Sequence, residues 1–165
     1  MDIALATTKN SCGGPAKAAV VGSSLMGMIS GTAVANVLTT GTISIPLMRR
    51  AGYKPSVAAG VEAVASTGGQ LMPPIMGAAA FLMADIMEVP YLEITAAALI
   101  PAVLFYIAVF ATVHLEAVKT GLKPLDSLEV PDVSQSLLRS GHVLLSIPVF
   151  IGALVSGYSV MYSSM

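Results

Sequence analysis

The chain has 165 residues, of which 55% are hydrophobic and 10% charged, with a formal net charge of −1. A soluble domain carries about 25% charged residues, so too few polar groups exist here to cover a globular surface, and an integral membrane protein is the class that remains. No basic patch exists to neutralise phosphates, which excludes nucleic acid as a partner, and the single Cys12 excludes an intrachain disulfide or a cysteine-rich metal site.

The opening, MDIALATTKN, has no basic stretch ahead of an apolar run, so it does not read as a secretory signal. The chain opens in a polar stretch and stops just after an apolar segment, and it reads as a fragment. Four apolar segments follow, at residues 18–48, 57–84, 91–118 and 143–162. All lysines and arginines lie outside them: Lys9 and Lys17, then Arg49, Arg50 and Lys54, then Lys119, Lys123 and Arg139. The gap holding Asp85, Glu88 and Glu93 carries only acids. The excess of cations on cytoplasmic loops puts 119–142 inside as a connector, 85–93 outside and 49–54 inside.

With Lys9 and Lys17 also inside, residues 18–48 must cross an even number of times. Two full crossings need about 40 residues, and only about 31 are present, too few by that measure. A re-entrant helical hairpin that dips to mid-membrane and returns solves this, with its tip at Ser30-Gly31-Thr32. The alternative is one long tilted helix with the two N-terminal lysines outside. Segment 57–84 is a transmembrane helix broken at Ser66-Thr67-Gly68-Gly69-Gln70 and Pro73-Pro74, because proline removes a backbone donor and disfavours helix just before it. The alternative there is a proline-kinked helix that only packs. Segments 91–118 and 143–162 read as single transmembrane helices. The fold class is therefore all-α integral membrane, a re-entrant hairpin plus a broken helix and further spans. Paired broken segments at mid-depth are the sequence pointer to a secondary-transporter site, since half-helix ends and unwound carbonyls coordinate Na⁺ and anions.

Residues 30–37 (SGTAVANV), 40–48 (TGTISIPLM) and Gly52-Tyr53 resemble the first hairpin of the large membrane subunit of TRAP transporters. Residues 62–81 (EAVASTGGQLMPPIMGAAAF) resemble the broken helix that follows it. The wording is most similar to the TAXI branch, in which small and large membrane subunits are fused. The resemblance covers residues 13–123 well and the rest loosely. It implies a multi-pass, elevator-type domain in a bacterial or archaeal cytoplasmic (inner) membrane. It further implies Na⁺-driven organic-acid symport, with Na⁺ as coupling ion and no other cofactor. The partners it implies are a periplasmic solute-binding protein and the rest of the permease, including the small-subunit region. The partner hairpin of such a domain is missing from this chain.

Candidate ion and substrate residues follow from the two broken segments. Ser30, Gly31 and Thr32 offer hydroxyls and carbonyls at a turn that glycine permits. Gly68 and Gly69, with Ser66 and Thr67, form the matching backbone site, and Gln70 is a polar contact beside it. Na⁺ is assigned to Gly31, Thr32, Gly68 and Gly69. Pro73 and Pro74 shape the break. Asn36 shares a helical face with Thr32, and either contacts ligand or braces the hairpin. Thr39, Thr40 and Thr42 read as interhelical glue. Glu62 lies close to the inner interface, where it snorkels to water or pairs with Arg49 or Arg50. Gly27 and Gly31 have the GxxxG spacing that lets the two hairpin arms approach. His114 and Glu116 read as a solvated interface, and the methionines as gap fillers.

No GxSxG, HExxH or GxxxxGK[ST] motif is present, and no base lies at the depth of Ser23 or Ser30, so an enzyme is not expected. A channel with a re-entrant loop is the alternative function. A purely structural anchor leaves the polar mid-depth backbone without a reason.

Overall fold

Glycine and proline punctuate the chain where the helices begin and end. The computed structural model describes residues 4, 5, 8, 11–122 and 152. Helix α1 (Gly14–Ser30) has Pro15 in its first turn, where a missing N–H costs nothing, and stops at Gly31, which is left-handed at φ 62°. Thr32 is extended, and α2 (Ala33–Arg50) runs back from it, carrying Pro46 inside and Arg49 and Arg50 in its last turn. There the two cations face the negative end of the helix dipole. The Tyr53 N–H bonds to the Met48 carbonyl and the Gly52 N–H to that of Arg49, both at 3.1 Å. That pairing is a Schellman ending, made possible by Gly52 at φ 98°.

Helix α3 (Pro55–Gly68) starts on a proline and tightens into a 3-10 turn at Gly69–Leu71. An irregular stretch leads to α4 (Ala78–Met87), and α5 (Tyr91–Lys119) closes the described bundle. All of these elements are helical. Among the described residues α5 is the one helix long and apolar enough to cross a membrane on its own. Its bounds fall within a residue of the expected span. The remainder of the 119–142 connector beyond Leu122, and the 143–162 span, lie outside the described residues apart from Gly152.

The arms of the hairpin, α1 and α2, have 17 and 18 residues. At 1.5 Å per residue each is about 26 Å long, longer than the sequence pattern implies because α1 begins four residues earlier than the apolar run. The start of α1 and the finish of α2 lie at the same end of the bundle. Cys12 Sγ donates to the Leu122 carbonyl at 3.0 Å, and the Tyr53 hydroxyl approaches the Gly13 carbonyl at 3.5 Å. Burial, with smaller contributions from Cys12 and Glu116, pushes the Tyr53 phenol up to about 12. The start of α1, the turn at 51–54 and the end of α5 thus share one face, together with Arg49, Arg50, Lys54 and Lys119. The reading of residues 18–48 as a single uninterrupted rod is corrected by this return.

A core of Ala16, Ala19, Val20, Met48, Tyr53, Ala58, Ala65, Val109, Val113 and Ala117 fills that end. Alanines at the crossings let the helices approach closely, and Met48 fills the space between them with no exposed surface. Lys17 is a correction of a different kind. It lies inside the first turns of α1, 3% exposed, rather than ahead of the span. Its ammonium donates to Ser11 Oγ, lies 3.0 Å from His114 Nδ1, and sits 5.3 Å from the centre of the Phe110 ring. Long apolar side chains on the outer faces stay exposed, among them Val34 and Leu38 on α2, Ile86 on α4 and Ile100 and Leu104 on α5.

Candidate functional site

The hairpin tip and the break in the second segment meet. A Cβ placed on Gly31 would lie 2.2 Å from the Met76 carbonyl oxygen, and one placed on Gly77 would lie 3.4 Å from the Gly31 carbonyl. Main chain therefore packs on main chain, which only glycine allows here. One turn earlier, a Cβ on Gly27 would fall 2.3 Å from Gly69 Cα. The four-residue spacing of Gly27 and Gly31 thus seats α1 against the broken segment, while Gly27 also packs on Asn36 of the second arm, as the GxxxG pattern suggests.

The break itself begins later than the glycines. Gly68 and Gly69 keep helical dihedrals, and Met72, the residue before Pro73, is the first to become extended. The chain then passes the cis Pro73–Pro74 bond and Met76 at φ 57°. Gly77 N–H closes the loop onto the Gln70 carbonyl at 2.9 Å. Tyr91 supports it from α5, donating its one hydroxyl hydrogen to the Ile75 carbonyl at 2.5 Å with the Pro74 carbonyl at 3.1 Å, while its ring stacks on Phe81 at 4.7 Å. Sequence reasoning passed over Tyr91. The cue was an aromatic hydroxyl at the start of a span directly after a double-proline break, where freed carbonyls need donors.

The expected site residues divide by burial. Gly31, Asn36, Ser66, Gly68, Gly69, Pro73 and Pro74 are buried, Ser30 is half-buried, and Thr32, Thr67 and Gln70 are exposed. Thr67 Oγ1 donates back to the Ala63 carbonyl at 2.7 Å, within its own helix. Gly68 faces α5, where a Cβ would meet Phe105 Cε1 at 2.2 Å. Ser30 Oγ reaches only the Thr32 carbonyl, at 3.5 Å.

From the break a buried polar thread runs between α1, α2 and α3. Asn36 has no exposed surface, and its Nδ2 donates to the Ser23 carbonyl at 2.8 Å, bracing α2 against α1. Its Oδ1 is fully buried and has no hydrogen-bond partner. That is a costly state for an amide oxygen, worth about 1–3 kcal/mol of lost solvation. The same amide group stands against both Gly27 and Gly69. The thread continues to Glu62, which is 0% exposed. Ser23 Oγ and Ser66 Oγ donate to its Oε1 at 3.1 and 3.0 Å, Thr40 Oγ1 contacts the same oxygen, and Ser44 Oγ takes Oε2. Gly41 makes room, since a Cβ there would sit 3.1 Å from Glu62 Cγ.

The expected snorkelling of Glu62, or its pairing with Arg49 or Arg50, is therefore corrected: the carboxylate turns inward to hydroxyls, and both arginines are exposed. Ser23, Thr40 and Ser44 were missed as its partners. The signal was present as four-residue stripes, Asn36–Thr40–Ser44 on α2 and Glu62–Ser66 on α3, since such residues share a helical face. A separate groove of about 550 Å³ lies between α1 and α5, lined by apolar side chains such as Val103, Ile107 and Phe110, with Lys17 and His114 among them.

Comparison with known proteins places these features in a family. The sequence model described as "Tripartite ATP-independent periplasmic transporter, DctM component" matches residues 1–164. A C4-dicarboxylate TRAP transporter large permease protein of Pseudomonas aeruginosa is 28% identical over 157 residues, 95% of this chain and 36% of the relative. An uncharacterised protein of Sinorhizobium fredii is 37% identical over 62 residues, 38% of this chain and 15% of that protein. The chain thus spans about a third of the length of the longer match.

Proposed function

This chain belongs to the DctM component family of tripartite ATP-independent periplasmic transporters, a membrane permease family, and we propose from that premise that it forms one side of the ion and substrate site of a Na⁺-coupled large permease. The hairpin α1–α2 re-enters the membrane from the cytoplasmic side, and its tip abuts the break after α3 within the bilayer. Organic acids are the substrate class, in keeping with the dicarboxylate named for the Pseudomonas relative. A periplasmic binding protein delivers them, and a small membrane subunit, fused in the longer protein as in the TAXI branch, completes the assembly. The cytoplasmic membrane of a bacterium or archaeon is the proposed location.

The observation that carries this reading is Asn36 Oδ1. It is an amide oxygen without a partner, fully buried, on the side chain whose Nδ2 stands against the point where Gly27 and Gly69 touch. An uncompensated acceptor at a junction of two broken segments is the chemistry that a cation satisfies. Main-chain carbonyls at Gly31 and Met76 lie one turn away and are hard ligands of the same kind. Na⁺ is thus the cargo of the tip site, which the backbone at Gly31, Thr32, Gly68 and Gly69 frames.

Uptake by the complete permease with its binding protein, in vesicles under an imposed Na⁺ gradient, tests the reading. Saturable uptake that collapses without Na⁺ is expected, and Gly31→Leu and Gly69→Leu, which force the same seam apart, should each abolish it. Gradient-independent, non-saturating flux would mean a channel instead. Sidedness is tested separately, with cysteines at positions 11 and 54 in a Cys12→Ser background. Labelling of the two from opposite faces of the membrane would remove the re-entrant hairpin.

A further inference from the structure

The buried carboxylate of Glu62 has no part in the tip site, yet it is the most elaborately coordinated group among the described residues. Ser23 comes from α1, Thr40 and Ser44 from α2, and Ser66 from its own helix. Ser23, Ser44, Glu62 and Ser66 are each 0% exposed. We propose that Glu62 and these four hydroxyls form a second cation site, separate from the hairpin tip, that takes a dehydrated alkali cation of the size of Na⁺.

Three features lead there. The first is charge. Every named partner of the carboxylate is a neutral hydroxyl. Arg49, Arg50 and Lys54 are exposed, and the Lys17 ammonium is engaged by Ser11 and His114. Hydroxyls satisfy lone pairs, but they do not cancel a net charge, and an ion buried in a membrane bundle needs a counter-charge.

The second is hydrogen supply. The four hydroxyls own one hydrogen each, but they take part in six close oxygen contacts. Thr40 Oγ1 lies 2.7 Å from the Asn36 carbonyl while also contacting Glu62 Oε1, and Ser23 Oγ lies 3.2 Å from Thr40 Oγ1 while also contacting Glu62. Some of these pairs must set lone pair against lone pair. A cation among them turns that repulsion into coordination. Thr40 then keeps its hydrogen on the Asn36 carbonyl and offers its oxygen to the ion.

The third is the ligand set. Hydroxyl and carboxylate oxygens are hard donors, and a single carboxylate balances a single positive charge. Asn36, which belongs to the tip site, lies one helical turn from Thr40 on the same face of α2. The thread from Gly69 through Asn36 to Glu62 therefore links the new site to the tip. A cation at Glu62 ties both hairpin arms to the broken helix, which gives Na⁺ a way to set the tip geometry before substrate arrives. That consequence rests on the coupled-transport reading, whereas the coordination chemistry does not.

The complete, purified permease provides the test without any substitution. Dicyclohexylcarbodiimide adds to membrane-buried carboxyls, and the adduct on Glu62 is read by mass spectrometry. NaCl should suppress the adduct at least tenfold, and choline chloride should not. In parallel, Glu62→Gln keeps the size and removes the charge. It should raise the half-saturating Na⁺ for uptake at least tenfold and lower its Hill coefficient. Labelling of Glu62 that ignores Na⁺ overturns the site, even if Glu62→Gln fails to fold. A Glu62→Gln protein that keeps its Na⁺ titration and loses only a dependence on pH assigns the carboxyl to a proton, and also overturns it. Na⁺ protection of Glu62 in a permease whose uptake needs no Na⁺ gradient would leave the site standing and bring down the transport reading instead.

Discussion

The two ends of the bundle are made from the same helices and held by different forces. At the cation-rich end, Met48, Val113 and Tyr53 pack among alanines in an apolar core. Toward the tip, α1, α2 and α3 enclose Ser23, Asn36, Ser44, Glu62 and Ser66, all without exposed surface. Apolar packing is graded, because each lost methylene costs a little and neighbours relax. A buried polar set is closer to all-or-none, since every member relies on another for its solvation. The apolar end therefore serves as the fixed frame, and the polar thread as the part in which the loss of one member is felt by the rest.

The largest effect expected is at the seam between tip and break. Gly27→Leu drives a side chain into the Gly69 backbone, and the loss should exceed about 4 kcal/mol, seen as absence of a folded, monodisperse permease in detergent. A well-folded Gly27→Leu protein would show that the seam is looser than the contact of these backbones implies. Met48→Ala probes the frame. It should cost about 3 kcal/mol through the cavity it leaves, read as a fall in melting temperature. The half-saturating Na⁺ of the surviving protein should not change, and a shift in it would erase the distinction between frame and thread. Tyr91→Phe removes the hydroxyl that serves the Pro74 and Ile75 carbonyls, at a cost of about 1–2 kcal/mol. The same variant should speed proteolysis within 72–77, and unchanged cleavage there would separate Tyr91 from the break. Thr67→Val should stay within about 0.5 kcal/mol of the parent and leave Na⁺-driven uptake intact, because the hydroxyl is exposed and bonded within its own helix. Loss of uptake in that variant would return Thr67 to the ligand set.

Much of the frame was legible beforehand. The turn at Gly31, the double-proline break and the α5 span appear where glycine, proline and apolar length place them, because these signals are local: a left-handed dihedral, a missing N–H, a run of apolar residues. The polar thread was only half legible. Asn36 stood out as a buried amide, with its bracing role among the options. Glu62 was assigned to the wrong surroundings because its depth was counted along a single helix. What hides it is the hairpin, which wraps two arms around that face of α3. Lys17 was misplaced for the same reason, since the partners that hold it, His114 and Phe110, are nearly a hundred residues away in the chain.

The amino-acid order alone determined that this is a helical membrane chain, where it turns back and where its second segment breaks, since composition and local backbone chemistry suffice for those. Only the tertiary structure decided that Gly27 seats on Gly69, that Gly31 meets Met76, and that four hydroxyls converge on Glu62. Those contacts join residues far apart in sequence, and their distances follow from how closely three helices approach, a quantity no local pattern encodes.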